Sequence, residues 1–80
     1  MPKVLLLKGY EFFFYSNEGN EPMHIHIGKA GAIGKIWLEP AVEISYLYGF
    51  SPKERKEILF IVLDQLESFK SFWNEYFNKQ

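Results

Sequence analysis

The chain has 80 residues, 48% hydrophobic and 19% aromatic, with a formal net charge of −1 and no cysteine. That length admits one domain with one core, spanning residues 1–80, and that apolar content excludes a disordered chain. Without cysteine there are no disulfides and no thiolate metal sites, and the dispersed, near-neutral charge argues against a strongly basic nucleic-acid face.

Lys3 to Leu7 reads as a first strand. Its apolar run is too short for a secretory core or a membrane span and is followed at once by Lys8, so a cytoplasmic location is expected. Lys8-Gly9 reads as a turn and Tyr10 to Ser16 as an aromatic second strand. "SNEGNEP" collects Asn, Gly and Pro and reads as an exposed loop. It has side-chain oxygens but not the spacing of a calcium-binding EF-hand. Met23 to Gly28 forms a third strand, "KAGA" a turn, and Ile33 to Glu39 a fourth strand. Pro40 breaks that strand, and Ala41 to Leu47 forms a weaker fifth.

In "GFSPKE", Ser51 can cap a helix, Pro52 suits its first position, and Glu54 completes a capping box. Apolar residues then recur at Leu59, Val62, Leu66, Phe69, Trp73 and Tyr76, with Ile58, Ile61, Phe72 and Phe77 widening the stripe. Phe60 falls on the charged side and is expected to be exposed, alone or at a subunit contact. An unbroken helix over 52–78 would be roughly 40 Å long. A domain of this size has a radius of gyration of only about 12 Å. A bend near Glu67-Ser68 into two segments is therefore expected. The fold class is α+β: a small antiparallel sheet of four to five strands within residues 3–47, with a helix or two helical segments over 52–78 packed on one face.

The chain's two histidines, His24 and His26, stand one residue apart in the third strand and so share a face. A hairpin through "KAGA" sets Ile25 against Ile36, Met23 against Leu38, His24 against Trp37 and His26 against Lys35. A slip by one would bury Lys35 and the histidines together, so this register is preferred. The apolar face then carries Tyr10, Phe12, Phe14, Met23, Ile25, Ile27, Ile36, Leu38, Val42 and Ile44. The opposite face carries Glu11, Phe13, Tyr15, His24, His26, Lys35, Trp37 and Glu39, and is expected to be an open surface that mixes rings with ionisable groups.

Three chemistries suit that surface. A His-x-His pair can bind zinc, with Glu39 the nearest third ligand by register, although no cofactor is also a consistent reading. Acid–base cleavage of RNA without a metal could use His24 and His26, assisted by Tyr15 and Lys35. Arg55 is the only arginine, which is poor provision for phosphate contacts. Protein recognition could use Phe13 and Trp37 as anchors.

The segments "GYEFFFYSNEGNEPMHIHI", "KIWLEP", "GFSPKE" and "FWNEYF" together resemble the small prokaryotic family known as domain of unknown function 4160. Members usually carry a second Pro before the first His, where this chain has Met23. The resemblance implies one half of a two-gene module of toxin–antitoxin type, acting through contacts with a small protein from the neighbouring gene. A homodimer is a further expectation, membrane partners are not expected, and RNA is not favoured by charge. The family signature falls on Tyr15, Asn17, Glu18, His24, His26, Trp37 and Glu39. This adds the loop residues Asn17 and Glu18 to the binding set of Phe13, Trp37 and Glu39.

Overall fold

The computed structural model describes residues 3–77. Five strands form an antiparallel sheet in chain order, followed by two helices. They are β1 Lys3–Leu7, β2 Tyr10–Phe13, β3 His24–Lys29, β4 Ala32–Trp37, β5 Glu43–Tyr48, α1 Pro52–Asp64 and α2 Leu66–Phe77. The fold is α+β, as the patterning predicts. The helix end expected at residue 78 lies outside the described residues.

Two of the strand connections are two-residue hairpins. Lys8 and Gly9 (φ 55° and 83°) join β1 to β2, and Ala30 and Gly31 (φ 49° and 87°) join β3 to β4. Both central residues have positive φ, the conformation whose twist matches that of the flanking strands. The second hairpin sets the register read from alternation: His24 opposite Trp37, Ile25 opposite Ile36, His26 opposite Lys35. Beyond it, the Leu38 N–H donates to the Met23 carbonyl at 2.8 Å.

Both edge strands carry an irregularity. The pairing skips Val4 in β1 and Ser45 in β5, and bulges of this kind blunt an exposed sheet edge. Three strand limits differ from the sequence reading by two or three residues. β2 ends at Phe13 and β4 at Trp37, both early, and β5 starts at Glu43. Beyond the ends of β2 and β4 alternation still places Phe14 and Leu38 in the core and Tyr15 beside His26, but it fails at Glu39, which turns to Lys70 of α2.

The helices cover one face of the sheet. Tyr10, Phe12, Phe14, Ile25, Ile27, Ile36, Leu38 and Leu47 are buried with Ile58, Ile61, Val62, Phe69 and Trp73, while Met23 and Val42 pack at the margin. Gly34 sits on this face because Leu47 occupies the space a Cβ would need, with the Tyr46 carbonyl 3.2 Å from it. Ile44 belongs to the same face but is half-exposed, since it lies on an edge strand beyond the helices. Phe72 and Tyr76 are also half-exposed, so the buried stripe of α2 narrows to Phe69 and Trp73.

The Ser51 hydroxyl accepts the Glu54 N–H and the Glu54 carboxylate accepts the Ser51 N–H, which starts α1 as predicted. The helical segment does break in two, at Gln65 rather than at Glu67-Ser68. The Gln65 N–H still bonds Ile61 O, and Phe69 N–H bonds Gln65 O, so the bend costs few backbone hydrogen bonds. It lets both apolar stripes follow one small sheet, and the radius of gyration is 11.9 Å. Phe60 is exposed, as its position on the wheel predicts. None of the described helices is long and apolar enough to cross a membrane.

Candidate functional site

Strand alternation puts His24 and His26 on the face of β3 away from Ile25 and Ile27. Their rings lie 5.1 Å apart. This face is not the open surface that alternation alone suggests, because His24 is 0% and His26 7% exposed. The cover comes from the loop between β2 and β3, which alternation does not describe. Phe14 packs on Trp73 and Phe77, and Gly19 lies so close to the Phe77 ring that a Cβ would stand 2.6 Å from Cδ1. The loop is thus pinned against the end of α2 and returns over the start of β3. Trp73 of α2 also reaches His24, with ring centres 5.1 Å apart.

This loop delivers Glu18 to both imidazoles. Glu18 Oε1 is 2.8 Å from His24 Nε2, and His26 Nε2 lies 3.2 Å from Oε1 and 3.1 Å from Oε2. Oε1 also accepts the Tyr15 N–H at 3.1 Å. Among the described residues, Glu18, His24 and His26 form one group whose donor atoms all lie within 4.8 Å of one another. Rings wall the group on several sides. Phe13 stacks on His26, Tyr15 meets it edge-on at 4.8 Å, and Trp37 meets His24 at 5.3 Å.

The proton inventory at His24 is the informative detail. Its Nδ1 lies 2.9 Å from the Pro22 carbonyl, which can only accept, so Nδ1 carries the hydrogen. In the neutral ring Nε2 is then a bare lone pair. That atom is buried and satisfies no hydrogen-bond geometry, although a carboxylate oxygen stands 2.8 Å away. Two acceptors so placed need a positive species between them, either a second ring proton or a metal ion.

Burial tends to raise the Glu18 pKa, but the neighbouring His24 and His26 rings and the hydrogen bond from the Tyr15 N–H outweigh it and hold the carboxyl below its ordinary value. Burial pushes the His26 pKa down, against the pull of Glu18. An ionised carboxylate beside a neutral imidazole is the protonation state that metal ligation requires.

The other sequence-nominated residues fall outside this group. Glu39 lies past the end of β4, and its carboxylate pairs with Lys70 of α2 at 2.7 Å. The carboxylate brought to the histidines is Glu18 instead. Lys35 bonds Glu21 at 3.1 Å and stands over the Trp37 indole at 4.3 Å. Asn17 is exposed in the loop. Alternation missed Trp73, counted only as helix stripe, and the Pro22 carbonyl, because neither lies on the strand face it describes.

A sequence profile described as "Domain of unknown function (DUF4160)" matches residues 9–74. The chain belongs to this family. The match spans the sheet from the β1–β2 turn onward, the loop with Glu18, both histidines and most of α2. No curated protein and no solved structure matches the chain.

Proposed function

We propose that this DUF4160 protein is a metal-binding module whose ligands are Glu18, His24 and His26. The observation that carries the reading is the buried His24 Nε2, held by the Pro22 carbonyl in the tautomer that presents a lone pair to Glu18. A backbone carbonyl on the far nitrogen of a ligating histidine is the usual second partner in such centres. Bonds of about 2.0–2.2 Å to zinc separate neighbouring ligand atoms by roughly 3–3.5 Å. The carboxylate–imidazole distances here, 2.8 to 3.2 Å, need only a slight opening.

Two imidazoles and one carboxylate suit zinc or another first-row transition ion rather than magnesium or calcium, which prefer all-oxygen sites. Three protein ligands leave a position for water, and a bound ion would supply Lewis acidity or an activated water there. Glu18 would neutralise part of the ion's charge. Phe13, Tyr15, Trp37 and Trp73 exclude bulk solvent. Metal-independent RNA cleavage by His24 and His26 has less support, since both rings are buried against Glu18 and Lys35 is committed to Glu21.

The test is metal analysis of protein purified without a histidine tag. One transition ion per chain is expected, lost in the His24→Ala, His26→Ala double variant. Metal-free protein whose melting temperature is unmoved by added zinc would refute the reading.

A second observation favours partner binding as well. Among the described residues, no helix packs on the outer face at β4 and β5, where Tyr46 and Tyr48 stack at 5.0 Å and Ile33 and Tyr48 are largely exposed. A cytosolic module of toxin–antitoxin type could engage its cognate protein there, with Trp37, at the other end of β4 from Ile33, as an anchor. Trp37→Ala should then weaken that complex by about 2 kcal/mol, the scale of a hot spot. An unchanged Kd would remove the second reading.

A further inference from the structure

At the end of β4 and β5 a slot of about 210 Å³ lies between Pro22, Trp37, Glu39, Pro40 and Glu43. At about 30 Å³ per water it holds roughly seven waters, or the end of one long side chain. We propose that this slot receives an arginine or lysine side chain from an exposed segment of a partner protein. The inference goes beyond the metal reading, because none of the lining residues is one of the three proposed ligands.

The walls are of two kinds. An indole and two proline rings supply apolar surface, two glutamates supply negative charge, and no basic residue lines the space. The chain's own lysines already show what these walls attract. Lys35 Nζ stands 4.3 Å from the Trp37 ring centre, and Lys70 Nζ is 2.7 Å from Glu39 Oε2. Glu43 differs from Glu39. It is exposed at the start of β5, and its side chain has no hydrogen bond or ion pair among the described residues.

A third cation entering the slot would therefore meet an unmatched carboxylate and an aromatic wall together. Guanidinium suits this pair better than ammonium, since its plane can lie on the indole while its N–H groups fork onto Glu43. A partner segment is the favoured source because the slot is shallow and sits beside the uncovered outer face, where flanking residues can add contacts. Pro22 joins this wall to the loop that also carries Glu18, so the full chain is needed for a test.

The experiment titrates the full-length protein with a nine-residue Gly/Ser peptide carrying one central arginine. Matched peptides carry citrulline or lysine, and spermidine is a separate arm. The readout is the Trp37 indole N–H resonance, assigned by its loss in Trp37→Phe, with the buried Trp73 indole as the internal reference. The arginine peptide should shift Trp37 saturably and leave Trp73 in place, lysine should bind more weakly, and citrulline should not bind. Glu43→Gln should weaken the arginine peptide about threefold, the scale of an exposed ion pair. An equal response to citrulline, no effect of Glu43→Gln, a response to spermidine alone, or an unmoved Trp37 would each overturn the proposal.

Discussion

The two faces of β3 are equally buried, but by different means. Ile25 and Ile27 disappear under two helices that bring only apolar side chains to them. His24 and His26 disappear under a loop that brings a carboxylate, a backbone carbonyl and Tyr15, while Phe13, Trp37 and Trp73 close in from β2, β4 and α2. The first arrangement is non-directional and asks only for volume. The second must satisfy four ring nitrogens, and burial of any one without a partner is costly. Stability on the helix side is therefore a matter of packing, while on the loop side it depends on protons and ions.

The largest effect that separates the faces is a truncation under the helices. Phe12, fully buried against Phe69, should cost about 3–5 kcal/mol when changed to Ala. Urea denaturation should show the same loss with zinc and with chelator. A loss that zinc largely restores would mean that the two faces are not independent.

Next comes the loop side. Glu18→Gln keeps the shape and removes the charge shared by the two imidazoles. It should cost about 2 kcal/mol in chelator, from the partner groups left unmatched. Zinc affinity should also fall at least about tenfold, the scale of disturbing a metal's immediate surroundings. Isothermal titration measures the second effect. Unchanged zinc affinity would leave Glu18 as a hydrogen-bond partner only.

The same contrast explains how much could be read without coordinates. Period-two alternation and the turn at Ala30-Gly31 placed Ile25 against Ile36 and His24 against Trp37, because a slip would have reversed every side chain of a half-apolar strand. Ser51, Pro52 and Glu54 announced α1 through local chemistry alone. Glu18 carries no such signal. Its loop has no period, and its position depends on Phe14 and Gly19 packing against an element more than fifty residues later in the chain. Only the family signature pointed to it. Glu39 was nominated because alternation was carried two residues past the end of β4, where the backbone no longer obeys it. The same limit hid the cover over the histidines.

Acid should reveal the loop side without any mutation. In chelator, His26 titrates below its ordinary value of 6.5 and Glu18 below its ordinary 4.5. Both folded-state values are depressed, so each group contributes stability that is present above the ordinary value and lost as pH falls through the folded one. The melting temperature should therefore drop on acidification in two stages, the first beginning near 6.5 and the second below 4.5. His26→Phe should flatten the first stage. A drop that begins only below 4.5 in the parent protein would show that the folded state does not depress the His26 pKa.

The smallest expected effect is the most discriminating for ligand identity. Glu39 and Glu18 are both carboxylates near the end of the sheet, and register alone favours Glu39. The geometry assigns Glu39 to Lys70, at a partly exposed pair. Such pairs contribute between zero and about 1 kcal/mol. Glu39→Gln should then shift stability by no more than about 1 kcal/mol and leave zinc affinity where it was. Paired with Glu18→Gln under identical buffer, the titration compares two neutral isosteres of equal size, so overall charge cannot explain a difference. If Glu39→Gln were the variant that lost zinc, the loop would have to release Glu18 when the ion enters, and the burial of the histidines would belong to the metal-free protein alone.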